Sequence, residues 1–92
     1  MEKIGLKFFK EFDYEVFESL QYWLDYDFEY DDLVESIENK AIIELDLEED
    51  EDRAEDIEML SIFLSKFKAL EIPFELYVKR EDWEVIKLEE IS

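Results

Sequence analysis

The chain contains no cysteine and no histidine, and only one glycine and one proline in 92 residues. Without cysteine there can be no disulfide, thiolate metal site, iron–sulfur cluster or cysteine nucleophile. Small secreted domains usually need such staples, so their absence fits a reducing compartment. Without histidine, the usual general base near neutral pH and the commonest zinc ligand are both missing. So little glycine and proline argues against a linker. No apolar run approaches the ~20 residues of a membrane span. After Met1, the stretch Glu2-Lys3-Ile4-Gly5-Leu6-Lys7 does not open the apolar run of about 7–15 residues that marks a secretory leader. The expected location is therefore the cytoplasm, and no membrane partner is expected, because anionic lipid repels acidic surface.

Basic residues are also scarce: ten Lys and Arg stand against 29 Asp and Glu, for a formal charge of −19. The imbalance is confined to one half. From Glu11 to Glu58 there are 21 acidic residues and only two basic ones, Lys40 and Arg53; the remaining eight acidic and eight basic residues cancel. Two unit charges ~6 Å apart in water repel by roughly 0.7 kcal/mol before screening. A dozen such pairs would offset much of the ~5–14 kcal/mol that stabilises a domain this size. Something other than folding favours the charge, and the simplest candidate is a strongly basic partner.

What is present in quantity is apolar. Hydrophobic residues reach 48% and aromatics 16%, far above an acidic disordered tail. One small folded domain spanning 1–92 is expected. Lys3 to Phe9 alternates, with Ile4, Leu6 and Phe8 on one face, as in a strand. Asp13 reads as an N-cap for a helix from about Tyr14 to about Asp25, with Val16, Phe17, Leu20, Trp23 and Leu24 at helical spacing. Tyr26 to Tyr30 fits either a strand or a connector. Asp31 or Asp32 caps a second short helix carrying Leu33, Val34 and Ile37, and Asn39 is its stop.

Lys40 to Glu48 is the clearest strand, with Ile43, Leu45 and Leu47 on one side and Ile42, Glu44, Asp46 and Glu48 on the other. Five consecutive carboxylates, Glu48 to Asp52, lead into the strongest helix. There Asp52 and Glu55 have capping-box spacing. Ile57, Leu60, Leu64 and Phe67 form its stripe, widened by Met59, Phe63 and Leu70. Lys66 and Lys68 complement its dipole and Pro73 ends it. Phe74 to Val78 and Trp83 to Leu88 read as a closing hairpin across the polar turn Lys79-Arg80-Glu81-Asp82. The order β-α-(α)-β-α-β-β predicts an α+β fold, with helices packed on one face of a three- or four-stranded mixed sheet. Ile43, Leu45, Leu47, Ile57, Leu60, Leu64, Phe67 and Leu76 are expected to share one core.

No motif supports catalysis, and neither an enzyme nor a cofactor is expected. Glu44-x-Asp46 resembles half of a magnesium site, but a surface this negative repels a nucleic-acid substrate, and no basic companion lies nearby. Asp46 to Asp52 lacks the glycine of a calcium loop and joins a strand to a helix, so no dedicated metal site is expected. Acidic residues in a first turn meet the positive end of the helix dipole, which explains about three carboxylates near Asp52. The rest form an array. Outward neighbours lie about 6.6 Å apart on a strand and about 5–6 Å apart on a helix, comparable with duplex DNA at one charge per ~1.7 Å of axis. The residues assigned to a partner surface are Asp25, Asp27, Glu29, Asp31, Asp32, Glu35, Glu38, Glu44, Asp46, Glu48, Glu49, Asp50, Glu51, Asp52 and Glu55, with Tyr22, Tyr26 and Tyr30 as interleaved aromatic anchors.

In size, composition and charge localisation the chain resembles the small acidic DNA-mimic proteins of bacteriophages. That class includes inhibitors of restriction enzymes, uracil-DNA glycosylase, CRISPR nucleases and histone-like proteins, and it shares no fold or motif. The resemblance implies a stoichiometric inhibitor acting in host takeover, in the bacterial host cytoplasm if the chain is phage-encoded. Such a protein occupies the DNA-binding surface of a basic protein and does not itself bind nucleic acid. The alternative is an immunity protein or antitoxin that plugs the active site of a basic nuclease toxin. A homodimer through the net-neutral half would lengthen the acidic surface.

Overall fold

The computed structural model describes residues 3–47 and 53–87. The elements are β1 (Lys3–Phe8), α1 (Tyr14–Leu20), a 3-10 turn (Gln21–Trp23), α2 (Tyr30–Glu38), β2 (Ile43–Glu44), α3 (Arg53–Ala69), β3 (Phe74–Lys79) and β4 (Trp83–Ile86). They form an α+β domain with one four-stranded sheet in the order β2-β1-β3-β4. All three pairings are antiparallel, so the sheet is not mixed. No helix among the described residues is long and apolar enough to cross a membrane.

The register explains the layers. Opposed residues share a face, so Ile43, Leu6, Leu76 and Ile86 form one transverse row, while Glu44, Gly5, Tyr77 and Val85 form the next on the opposite face. The first face meets Phe17 and Leu20 of α1, Leu33 of α2, and Leu60, Leu64 and Phe67 of α3 in one hydrophobic core. Six of the eight residues expected to share a core belong to this cluster; the other two, Leu47 and Ile57, are partly buried and pack against it. Two residues expected to widen the α3 stripe do not join it, since Met59 and Leu70 are exposed.

The outer face of the sheet explains the single glycine. A Cβ on Gly5 would fall 2.5 Å from Ile42 Cγ2 and 3.0 Å from a ring carbon of Trp83. The bare backbone therefore lets these side chains close over the middle of β1, and Lys79 lies 5.6 Å from the Trp83 ring centre. Tyr77 in the same row is buried, and its hydroxyl donates to Glu75 Oε1 at 3.0 Å. Burial raises its phenol above the ordinary value, and the hydrogen bond and charge of Glu75 add to the effect.

Several boundaries differ from the sequence reading. The first helix stops at Leu20, tightens through the 3-10 turn, and ends at Leu24 in extended geometry. The turn is held from outside: Gln21 Nε2 donates to Phe28 O at 2.9 Å, and Trp23 O accepts the Asp46 N–H at 2.6 Å. Asp13 sits at the N-cap, yet its side chain makes no capping bond. The N-cap of α2 is Glu29, not Asp31 or Asp32. Asp32 stands at N3, where its carboxylate accepts the Glu29 N–H at 2.8 Å.

The clearest strand of the sequence becomes the shortest. Leu45 N–H still reaches Ile4 O, but the next amide, Asp46, turns away to Trp23 O. The alternation persists in burial, with Ile43 and Leu45 inside and Glu44 and Asp46 outside. The closing hairpin forms as expected, with Lys79 opposite Trp83 across Arg80 to Asp82. Asp52 and Leu88, assigned to a cap and to the end of the last strand, lie outside the described residues.

Both α2 and α3 end in Schellman motifs built without glycine. Ala41 N–H bonds to Ser36 O and Lys40 N–H to Ile37 O; Ile72 N–H bonds to Phe67 O and Glu71 N–H to Lys68 O. The left-handed position falls on Lys40, at φ 54°, and on Glu71, at φ 59°. An L-residue there costs about 1 kcal/mol, which glycine avoids. Glu71→Gly is therefore expected to raise the melting temperature by roughly 4–8 °C. Glu71→Ala, which removes the charge but keeps the strain, should gain much less. Equal melting temperatures for the two variants in thermal denaturation would refute this account.

Candidate partner-binding surface

The acidic residues are displayed by three helices and the segment between the 3-10 turn and α2. In α2, Leu33 is buried and Val34 and Ile37 are half-buried. Asp31, Glu35 and Glu38 then recur at i, i+4 and i+7 and form one exposed stripe. At 1.5 Å rise per residue the stripe is about 10.5 Å long, with a carboxylate every ~5 Å. That is about two-thirds of the charge density of one DNA strand, at ~3.4 Å per phosphate.

Asp25 and Asp27 precede the stripe, both exposed, and between them Tyr26 is 96% exposed. No ion pair among the described residues involves a carboxylate between Asp25 and Glu38. The Asp31–Glu35 and Glu35–Glu38 neighbours thus repel each other without compensation, at about 0.2–0.5 kcal/mol each.

The remaining assigned residues divide. Glu29 is exposed as the N-cap of α2, and Asp32 is half-buried and engaged by the Glu29 amide, so both serve the helix start. Asp46 and Glu55 are exposed. Glu44 is exposed but lies on the outer face of the sheet, in the Gly5 row, where Lys3 Nζ pairs with it at 3.2 Å. That pairing removes Glu44 from the uncompensated array. Glu48, Glu49, Asp50, Glu51 and Asp52 lie outside the described residues. Within α3, Asp56 is buried and does not contribute to the surface.

The tyrosines also divide. Tyr22 is 67% exposed and stacks edge-on against Trp23 at 4.9 Å. Tyr30 is half-buried: its ring stands edge-on to Phe17 at 5.5 Å and its hydroxyl donates to Phe12 O at 2.9 Å. It ties α2 to the core rather than presenting a free ring. Sequence reasoning gave too little weight to Tyr14, which is 56% exposed. Its ring lies beside Phe17 and Tyr30, at 6.1 and 5.7 Å, and its place as the first residue of α1, with no preceding turn to cover it, was the available signal.

Among the hollows of the described surface, two bear on binding. The larger, about 630 Å³, lies at the charge-balanced end, between the end of α3 and the closing hairpin, and includes Lys10, Lys68 and Lys87. The smaller, about 400 Å³, lies between α1 with its 3-10 turn and α3. Among the described residues no group of three or more Asp or Glu side chains is placed to hold a metal ion. Comparison with protein-family models, with curated proteins and with solved structures finds no match to this chain.

Proposed function

We propose that the chain is an acidic DNA-mimic protein that binds a basic nucleic-acid-binding protein and competitively blocks its DNA-binding surface. The observation that carries this reading is the uncompensated exposed array from Asp25 to Glu38. A groove that takes its affinity from phosphates offers the same charged hydrogen bonds to carboxylates. The opposed fields would also speed encounter. The molecule's longest extent is 32 Å, so one copy matches about one turn of duplex at ~34 Å. A homodimer would lengthen the array. The outer sheet face is where two copies would meet with least repulsion, since Lys3, Lys7 and Lys79 there offset Glu44 and Glu75.

One observation favours a second reading. Asp25-Tyr26-Asp27 presents a single fully exposed ring between two carboxylates, a shape suited to plugging the active site of a basic nuclease toxin, as an immunity protein does. A displacement experiment separates the two. The immobilised chain, exposed to a bacterial lysate, should retain a basic DNA-binding protein that excess 30-base-pair duplex releases regardless of its sequence. Retention of a single nuclease, lost on Tyr26→Ala, would favour the plug. Failure of excess duplex to release any bound protein would overturn the mimic reading.

A further inference from the structure

We propose that the hollow between α1, its 3-10 turn and α3 receives an apolar side chain from a basic segment of the partner; the proposal rests on the reading above and names what it leaves unspecified. The hollow is lined by Ser19, Tyr22, Trp23, Met59, Phe63 and Lys66. Trp23 is almost wholly buried and Phe63 half-buried, so the floor is part of the fold. Tyr22 and Met59 line the hollow while 67% and 46% exposed, and Ile62, next along α3, is 57% exposed. These are adjacent apolar groups rather than scattered ones, and contiguous exposed apolar surface marks binding sites. Tyrosine and tryptophan are typical interface anchors, and methionine adapts to varied occupants.

The charges nearby select the occupant. Glu15 and Glu18 precede Ser19 and Tyr22 by one helical turn, and Glu55 precedes Met59 by one turn; all three carboxylates are exposed. An apolar anchor flanked by Lys or Arg satisfies both features, and Lys66 at the other end of the α3 stretch orients it. A second copy approaching at this hollow would bring its net charge of −19 against these carboxylates, unlike one meeting the outer sheet face.

The test uses two synthetic peptides of equal positive charge. One alternates Lys/Arg with Ser, and the other replaces two of the Ser residues with Leu. The full chain carries two tryptophans, so Trp83→Phe leaves Trp23, in the hollow, as the reporter of emission. The Leu peptide is expected to bind about tenfold more tightly than the Ser peptide and to shift Trp23 emission. Met59→Ser should erase most of that advantage while leaving the Ser peptide's affinity and the circular dichroism spectrum unchanged. Equal affinity of the two peptides, or an advantage that survives Met59→Ser in full, would overturn the docking site while leaving the acidic-surface reading standing. If neither peptide bound, both would fall.

Discussion

Converting Asp27, Glu35 and Glu38 to lysine is expected to weaken binding to the captured basic partner by about a hundredfold. Each substitution turns an attraction into a repulsion worth about 1 kcal/mol in a partly solvated interface, and 1.4 kcal/mol corresponds to tenfold. All three side chains are exposed and none is paired among the described residues, so the fold should be retained. The single change Glu35→Lys separates binding from folding more sharply. It replaces two like-charge contacts, with Asp31 and Glu38, by two opposite-charge ones on the same helix face, which stabilises α2 by about 1–2 kcal/mol. The expected outcome is a higher melting temperature together with weaker binding. Lys10→Gln, a control in the charge-balanced part, should change neither greatly. A Glu35→Lys protein that was more stable and bound its partner as well as the parent would show that the α2 stripe is not the binding surface.

Phe67→Ala is expected to have the largest effect on stability, a loss of about 3–5 kcal/mol. Phe67 is 1% exposed and packs against Phe8, Phe12, Phe63 and Phe74 at ring-centre distances of 5.7, 5.5, 4.9 and 6.2 Å. It therefore joins β1, the segment after β1, α3 and β3 in one cluster, and its removal costs transfer energy, a cavity and several aromatic contacts. Set against the ~5–14 kcal/mol of a domain this size, the loss leaves a protein marginal at 37 °C. Phe67→Leu, which refills part of the volume, should recover more than half of it. Chemical denaturation measures both, and an alanine variant within 1 kcal/mol of the parent would mean that the cluster does not bear on stability.

The uncompensated charge and the core are linked. A domain that tolerates repulsion along α2 must offset it elsewhere, and the aromatic cluster and the row Ile43, Leu6, Leu76 and Ile86 are where it does so. The strained Lys40 and Glu71 indicate the same margin, since a glycine at either position would relieve about 1 kcal/mol.

The absences, the confinement of charge to one half, the α+β class, the closing hairpin and the inward sets of the first two strands are all legible in the linear chain. They rest on composition or on a local period of two or 3.6 residues, which needs no knowledge of neighbours. For the same reason the alternation from Ile43 to Asp46 correctly gave burial and wrongly gave a long strand. Burial follows side-chain parity, whereas the ladder depends on where each amide finds an acceptor, and Asp46 finds Trp23. The break of the first helix at Leu20 has the same origin, because Gln21 is drawn to Phe28, seven residues on. Only the tertiary structure could take Glu44 out of the acidic array by placing it beside Lys3, commit Tyr30 to Phe12, and bring Tyr22 to Met59 across two helices. Each of these is a juxtaposition of residues distant in sequence, set by the packing of helices on an antiparallel sheet and by no pattern along the chain.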